Sequence, residues 1–336
     1  MNAQLQSEPA RPRLGFIGLG WIGRQRMQVL RASGVAEVAA LLDPSGEACA
    51  AALADAPEAV CTGGFDELCA AGLDGVVIAT PSGAHAQQAI AALERGLAVF
   101  CQKPLARTAA EAEAVVGAAR RADRLLDVDF SYRHLAGMER LRELIGAGEL
   151  GSLYAIDLVF HNAYGPDKPW FNDISQSGGG CVMDLGIHLV DLATWLGGAS
   201  GCHALSAQLE ANGRALGAPP ATVEDYATAQ WRSDAGTSVR LACSWRLPAG
   251  RDAVIEAAFY GTRGGAALRN VNGSFYDFTL DRFEGTRSGR LAAPPDAWGG
   301  RALVRWAERL AAGTGFDAQA ECLVDTARVV DAIYGR

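Results

Sequence analysis

No apolar run in this chain of 336 residues approaches the ~18 needed for a membrane-spanning helix, so none is expected. The segment from Met1 to Pro12 lacks the apolar core of a secretory signal, which points to a cytoplasmic protein. A basic excess is also missing: 30 Lys and Arg face 38 Asp and Glu, for a formal net charge of −8. An acidic surface repels phosphate backbones and anionic lipid, which argues against nucleic-acid and membrane partners. The eight cysteines form no C-x-x-C pair and no Cys/His spacing of the metal-ligand kind. They read as small buried residues of a reducing compartment, with no metal expected. Internal repeats are absent as well. What is present is ordinary for a folded chain, 49% hydrophobic and 20% charged, at a length that suggests about two domains of ~150 residues.

The amino-terminal part carries the strongest signal. A short apolar run over 14–17 flows into Gly18-x-Gly20-x-x-Gly23, the pattern of a strand feeding a dinucleotide-binding turn. Gly18 permits the sharp turn, Gly20 lets a pyrophosphate approach the backbone, and Gly23 lets the next helix pack close to the strand. That helix, beginning near Trp21 and Ile22, offers unpaired N–H groups to the phosphates. The next apolar run ends in Asp43, about twenty residues after the last glycine. A carboxylate there accepts a hydrogen bond from the ribose 2′-OH and repels a 2′-phosphate, which favours NAD over NADP. No arginine follows Asp43 directly, although Arg24 could reach a 2′-phosphate from the glycine turn.

Up to about Phe130, short apolar runs alternate with alanine-rich helical segments, the sign of β-α-β units and a parallel sheet. Strands are expected over 14–17, 38–42, 75–79, 98–101 and 125–130, with a short one near Val60, and helices over 84–95 and 109–122. After Gly151 the pattern changes. Val239, Leu241, Cys243 and Trp245 fall on one face of a strand, and residues 276–281 alternate in the same way. The second half therefore reads as a mainly antiparallel sheet with one face covered. Trp231, Trp245 and Tyr276 on such a sheet would risk a large apolar patch, so the region 225–283 is expected to meet a second copy of the chain. Segments 211–221 and 285–297 read as surface loops, and helices close the chain over 301–312 and 319–334.

In open parallel sheets ligands bind outside the carboxyl ends of the strands. Thr80-Pro81 follows one strand and leads to His85, which either lies near a nicotinamide or serves the helix start. Cys101-Gln102-Lys103-Pro104 follows another, and a lysine there can hydrogen-bond an alcohol or a developing alkoxide. In the second half, Gly178-Gly179-Gly180 precedes a helical pattern in which Asp184 and His188 stand four apart, within mutual reach. A carboxylate beside an imidazole raises its basicity, as a general base requires, and Asp191 competes with Asp184 for that place. Between 160 and 171, His161, Tyr164, Lys168 and Trp170 mix aromatic faces with polar groups, the composition of a sugar site. Tyr132 and Arg133, just beyond the last parallel strand, are further substrate candidates.

Taken in order, the glycine turn, Asp43, Thr80-Pro81, Gln102-Lys103-Pro104 and Gly179-Gly180…Asp184-x-x-x-His188 resemble the Gfo/Idh/MocA family of sugar and cyclitol oxidoreductases. The resemblance implies an α/β chain with a Rossmann dinucleotide-binding domain over 1–131. It also implies a substrate-binding and oligomerisation domain over 132–336, with a large, mainly antiparallel open sheet and a final helix able to return to the first domain. It implies bound NAD, contacted by Gly18, Gly20, Trp21, Ile22, Gly23, Asp43, Thr80, Pro81, His85 and Lys103. By the same resemblance Lys103, Asp184 and His188 are catalytic and contact the substrate: His188, polarised by Asp184, takes the hydroxyl proton while Lys103 binds the same oxygen. One departure stands out, because Gln102 occupies the place of the family's glutamate and removes a negative charge that would favour the ammonium of Lys103. The expected function is NAD-dependent hydride transfer between cofactor and a polyol, sugar or cyclitol, by a homodimer or homotetramer. Redox-neutral chemistry with retained NAD and a non-catalytic nucleotide sensor are the alternatives, and the catalytic triplet argues against the sensor.

Overall fold

A computed structural model describes residues 11–336. The stretch read against a secretory leader falls mostly in residues 1–10, outside the described residues.

The first half builds a six-stranded parallel sheet from β1 (Arg13–Ile17), β2 (Glu37–Leu42), β3 (Val60–Cys61), β4 (Gly75–Ile78), β5 (Ala98–Cys101) and β6 (Leu126–Val128). Its order, β3-β2-β1-β4-β5-β6, is that of dinucleotide-binding sheets, with the switch point between β1 and β4. Helices α1 (Trp21–Ser33), α2 (Gly46–Asp55), α3 (Phe65–Cys69), α4 (Ser82–Glu94) and α5 (Ala109–Ala122) make the crossovers. β4 and β5 are buried at every position, which explains their unbroken apolar runs. Local chemistry starts the helices: Ser45 accepts from the Ala48 N–H at α2 and Thr108 from the Glu111 N–H at α5.

The second half follows α6 (Met138–Gly146) with a nine-stranded sheet. Its strands are β7 (Leu153–Asn162), β8 (His203–Ala211), β9 (Arg214–Ala215), β10 (Tyr226–Arg232), β11 (Ser238–Ser244), β12 (Ala253–Gly261), β13 (Gly265–Asn270), β14 (Phe278–Glu284) and β15 (Arg287–Ala292). The order is β15-β14-β13-β12-β7-β11-β10-β8-β9, and every pairing is antiparallel except β7 with β11. A short helix α7 (Ile174–Ser177) and α8 (Ile187–Gly197) lie between β7 and β8, with α8 packed on β7 and β12.

Three expectations need correction. The segments read as loops over 211–221 and 285–297 contain β9 and β15, short edge strands whose Arg and Gly content hid their pairing. Tyr276 lies in the turn before β14 rather than in an alternating strand, and its side chain is exposed. Trp231 and Trp245 face the covered side of the sheet and are buried within the subunit, so they leave no aromatic patch for a partner. The uncovered face instead carries Asp157, Gln208, Thr228, Gln230 and Arg240, with Arg240 paired to Asp157 at 2.7 Å.

Both closing helices return to the first half of the chain. In α9 (Arg301–Ala311), Trp306 is fully buried beside Phe100, with ring centroids 5.8 Å apart. α10 (Glu321–Tyr334) packs between α5 and α8, and its Asp331 accepts a 2.7 Å hydrogen bond from the Ala109 N–H. Among the described residues no helix is long and apolar enough to cross a membrane, and no group of three or more His, Cys, Asp or Glu could hold a metal ion.

Candidate active site

The glycine turn is shaped to receive a phosphate. Gly18 has φ +87°, and its N–H donates to the Leu42 carbonyl at 2.9 Å, locking the turn against β2. A Cβ at Gly20 would meet nothing within 4 Å, so open space lies where a pyrophosphate would rest, above an α1 N-terminus without a side-chain cap. Asp43 braces this turn, accepting from the Leu19 N–H at 2.7 Å and from the Ser45 N–H at 2.8 Å. Arg24 is engaged elsewhere, held to Asp55 at 2.7 Å. These residues fit a dinucleotide: Gly18–Gly23 for the phosphates and Asp43 for a ribose hydroxyl.

Gly20, Trp21 and Ile22 open onto a cleft of about 450 Å³ that Thr80, Pro81, Lys103, Tyr132, Asp184 and His188 also line. Lys103 leaves the end of β5 and reaches across to the second half, where its ammonium donates to the Asp184 carboxylate and the Asp184 carbonyl, each at 2.7 Å. The second carboxylate oxygen of Asp184 accepts from the Trp245 indole at 3.0 Å.

Residues 182–186 form a single π-helical turn before α8. The carboxylate of Glu224, itself fully buried, holds this segment by accepting from the Gly180 and Val182 N–H groups at 2.9 and 2.8 Å. The Tyr334 hydroxyl donates to the same carboxylate at 2.8 Å and accepts from the Met183 N–H at 3.1 Å. A Cβ on Gly180 would overlap the Glu224 carbonyl oxygen, so the glycine run is a requirement of close packing.

The expected Asp184–His188 pair is not formed. The wider π turn rotates Asp184 off the line of residues four apart, and the charge of Lys103 takes its carboxylate. Asp191 is no substitute, because it is fully buried and bound by Arg133 at 2.8 Å. His188 is instead held by aromatics: Tyr132 stacks on it at 5.1 Å and Phe130 meets it edge-on at 6.2 Å. Its Nδ1 is buried without a partner, which leaves Nε2 as the ring nitrogen toward the cleft. Burial first, then the nearby Lys103 charge, push the His188 pKa down to about 3. The imidazole is therefore neutral near pH 7.

Other expected site residues divide. Trp170 stacks on Phe171 at 3.8 Å, and with Lys168 and Trp298 they line the cleft. Three substrate candidates point elsewhere. Arg133 serves Asp191, His161 bonds Ser244 at 2.8 Å, and the Tyr164 hydroxyl donates to Asp252 at 2.6 Å. His85 is buried, with its ring nitrogens 2.7 Å from the Thr80 and Pro104 carbonyls, so it ties two cleft loops together from behind. Sequence reading missed Arg26, Asp129, Trp245 and Trp298. Asp129 stands just beyond the carboxyl end of β6, the place where strand-end logic directs attention, whereas Trp298 precedes α9 and no local pattern marks it.

Comparison with known proteins agrees with this architecture. Residues 12–130 match the oxidoreductase family with an NAD-binding Rossmann fold, and residues 138–267 match the GFO/IDH/MocA C-terminal domain. The chain belongs to the Gfo/Idh/MocA oxidoreductase family. It is 32% identical over 186 residues to the rhizopine catabolism protein MocA of Rhizobium meliloti, covering 55% of this chain and 57% of that protein. A relative from Amycolatopsis mediterranei that bears the name of a UDP-kanosamine synthase oxidoreductase subunit is 33% identical over 273 residues, covering 76% and 75%. The inositol 2-dehydrogenase of Acidiphilium cryptum is 34% identical over 188 residues, covering 55% and 54%. Two of these three matches span little more than half of the relative. The solved structure of levoglucosan dehydrogenase with NADH and levoglucosan shares the fold, with a TM-score of 0.82 at 21% identity over 96% of both chains.

Proposed function

We propose that this protein is an NAD-dependent dehydrogenase that interconverts a CH–OH carbon and its ketone in a sugar, sugar derivative or cyclitol. The observation that carries the reading is the meeting of Lys103, Asp184 and neutral His188 in one cleft with the glycine turn. The bound nicotinamide would supply the hydride acceptor. His188 takes the hydroxyl proton through its cleft-facing nitrogen. Lys103 directs two of its three N–H donors to Asp184 and keeps the third for the substrate oxygen. Asp184 acts by aiming Lys103 rather than by polarising His188. Trp170 and Phe171 cover the C–H face of a ring, while Lys168 and Asp167 meet hydroxyl groups.

Two features support NAD over NADP: Asp43 beside the ribose position, and Arg24 already held by Asp55. The uncovered face of the second sheet is our candidate contact for a second copy of the chain, through polar rather than aromatic side chains. The test of the function is a screen of polyols, sugars and cyclitols for NADH absorbance, run beside mass spectrometry of nucleotide retained after purification. NADH formation with a ring polyol or sugar is the expected result. Tightly retained NAD with no net NADH from any substrate would replace this reading with redox-neutral chemistry.

A further inference from the structure

We propose that Asp129 is the positioning residue that fixes Lys103 and His188 relative to each other. This inference rests on the dehydrogenase reading of the same cleft. Asp129 is 2% exposed and sits where three elements meet. One carboxylate oxygen accepts from the Arg26 guanidinium of α1 at 2.6 Å and from the Gln102 amide at 2.7 Å. The other accepts from the Ser131 hydroxyl, which also receives an Arg26 N–H at 3.2 Å. The Asp129 N–H donates to the Cys101 carbonyl at 2.9 Å. Burial opposes ionisation, but Arg26, Ser131 and Gln102 outweigh it and hold the Asp129 carboxyl below its ordinary range.

The network therefore grips both halves of the proposed catalytic pair. On one side Gln102 is the residue before Lys103, so its amide fixes the peptide from which the lysine reaches Asp184. On the other side Phe130 and Tyr132, which flank Ser131, are the rings that hold His188. His188 has no hydrogen bond at Nδ1, so that aromatic seat, anchored through Asp129, is what sets its orientation. The geometry also explains why position 102 is an amide here: a glutamate would place two carboxylates within hydrogen-bond distance, and one would have to carry a proton.

The test is a charge swap read in three ways. Asp129→Asn and Gln102→Glu should each lower kcat by about ten- to hundredfold, the cost of misplaced reacting groups, with NAD affinity close to wild type and Tm lowered by the disturbed buried Arg26 pair. The double variant Gln102→Glu/Asp129→Asn keeps one carboxylate and one amide and should recover kcat to within about fivefold. In the cofactor-free protein, the His188 ring resonance should shift in Asp129→Asn and return in the double variant. If Asp129→Asn does not fold, Gln102→Glu and Ser131→Ala carry the same expectation. Wild-type kcat in Gln102→Glu, an unrescued double variant, or an unmoved His188 resonance would overturn the proposal. Wild-type turnover in His188→Ala would instead remove His188 as the base, whereas no net NADH from any substrate would overturn the dehydrogenase reading, and the ring resonance would still decide the role of Asp129.

Discussion

The two sheets differ in what covers them, and the difference divides their work. In the parallel sheet β4 and β5 are buried on both faces, so no side chain along those strands is free for chemistry. That sheet acts through its ends: backbone N–H groups at the glycine turn, and residues such as Lys103 and Asp129 just beyond the last strand positions. In the nine-stranded sheet, β10 and β11 alternate buried and exposed residues. Its covered face braces the site, with Trp245 on Asp184 and Glu224 on the π turn, while the other face is left polar. In the proposed reaction, a site between the two takes phosphate binding from one sheet and proton chemistry from helices seated on the other.

The sharpest way to break this division is His188→Ala. It should lower turnover by ~10²–10⁴-fold while dinucleotide binding, measured by fluorescence titration, stays near wild type. Equal loss of both would show that the regions do not act separately. Next is Trp306→Ala, which tests whether a helix late in the chain belongs to the core of the first sheet. Loss of a fully buried indole against Phe100 should cost about 3–5 kcal/mol in denaturant unfolding, and a change below about 1 kcal/mol would count against it.

Cofactor choice sharpens the role given to the parallel sheet. If the Asp43 carboxylate stands at the proposed ribose position with Arg24 occupied, kcat/KM with NAD should exceed that with NADP by about tenfold or more, since one close like-charge contact costs at least ~1 kcal/mol. Equal values would remove Asp43 as the selector.

Acid stability tests the buried side of the second half. Burial, followed by Lys103 for His188 and Arg305 for His134, holds these imidazoles near pKa 3 and 4, against an ordinary value of 6.5. In that window the unfolded chain binds protons that the folded one does not. Stability should therefore fall as pH drops below about 6.5, by about 1.4 kcal/mol per pH unit for each imidazole. Denaturant midpoints at pH 7 and pH 5 check this, and identical midpoints would contradict it. The smallest effect is expected at the open polar face, where reversal of the Arg240–Asp157 pair should weaken a dimer or tetramer without altering the fold. A wild-type monomer at micromolar concentration by light scattering would remove that contact altogether.

How much could be read in advance follows from how local each signal is. The glycine turn, Asp43 and the strand ends were legible because they depend on neighbours a few residues away. Lys103 and His188 could be singled out from their motifs, but their partners could not. Asp184 bonds residues 81 and 61 positions distant, and Asp129 bonds one 103 positions distant. The i to i+4 rule that joined Asp184 to His188 assumes an α-helix, and a π turn imposed by Glu224 and Tyr334 cancels it. Trp231 and Trp245 showed the right alternation, yet alternation does not say which face the helices will cover.

The sequence by itself determined that the chain begins with a parallel, dinucleotide-binding sheet and continues into a one-sided, mainly antiparallel one, because hydrophobic period and turn chemistry act over a few residues. Only the tertiary structure decided that Asp184 serves Lys103, that His188 sits neutral among aromatics, and that Arg133, His161 and Tyr164 turn away from the cleft. Those outcomes rest on competition for a few buried donors and acceptors. Which group wins depends on distances that exist only once the two sheets are packed together.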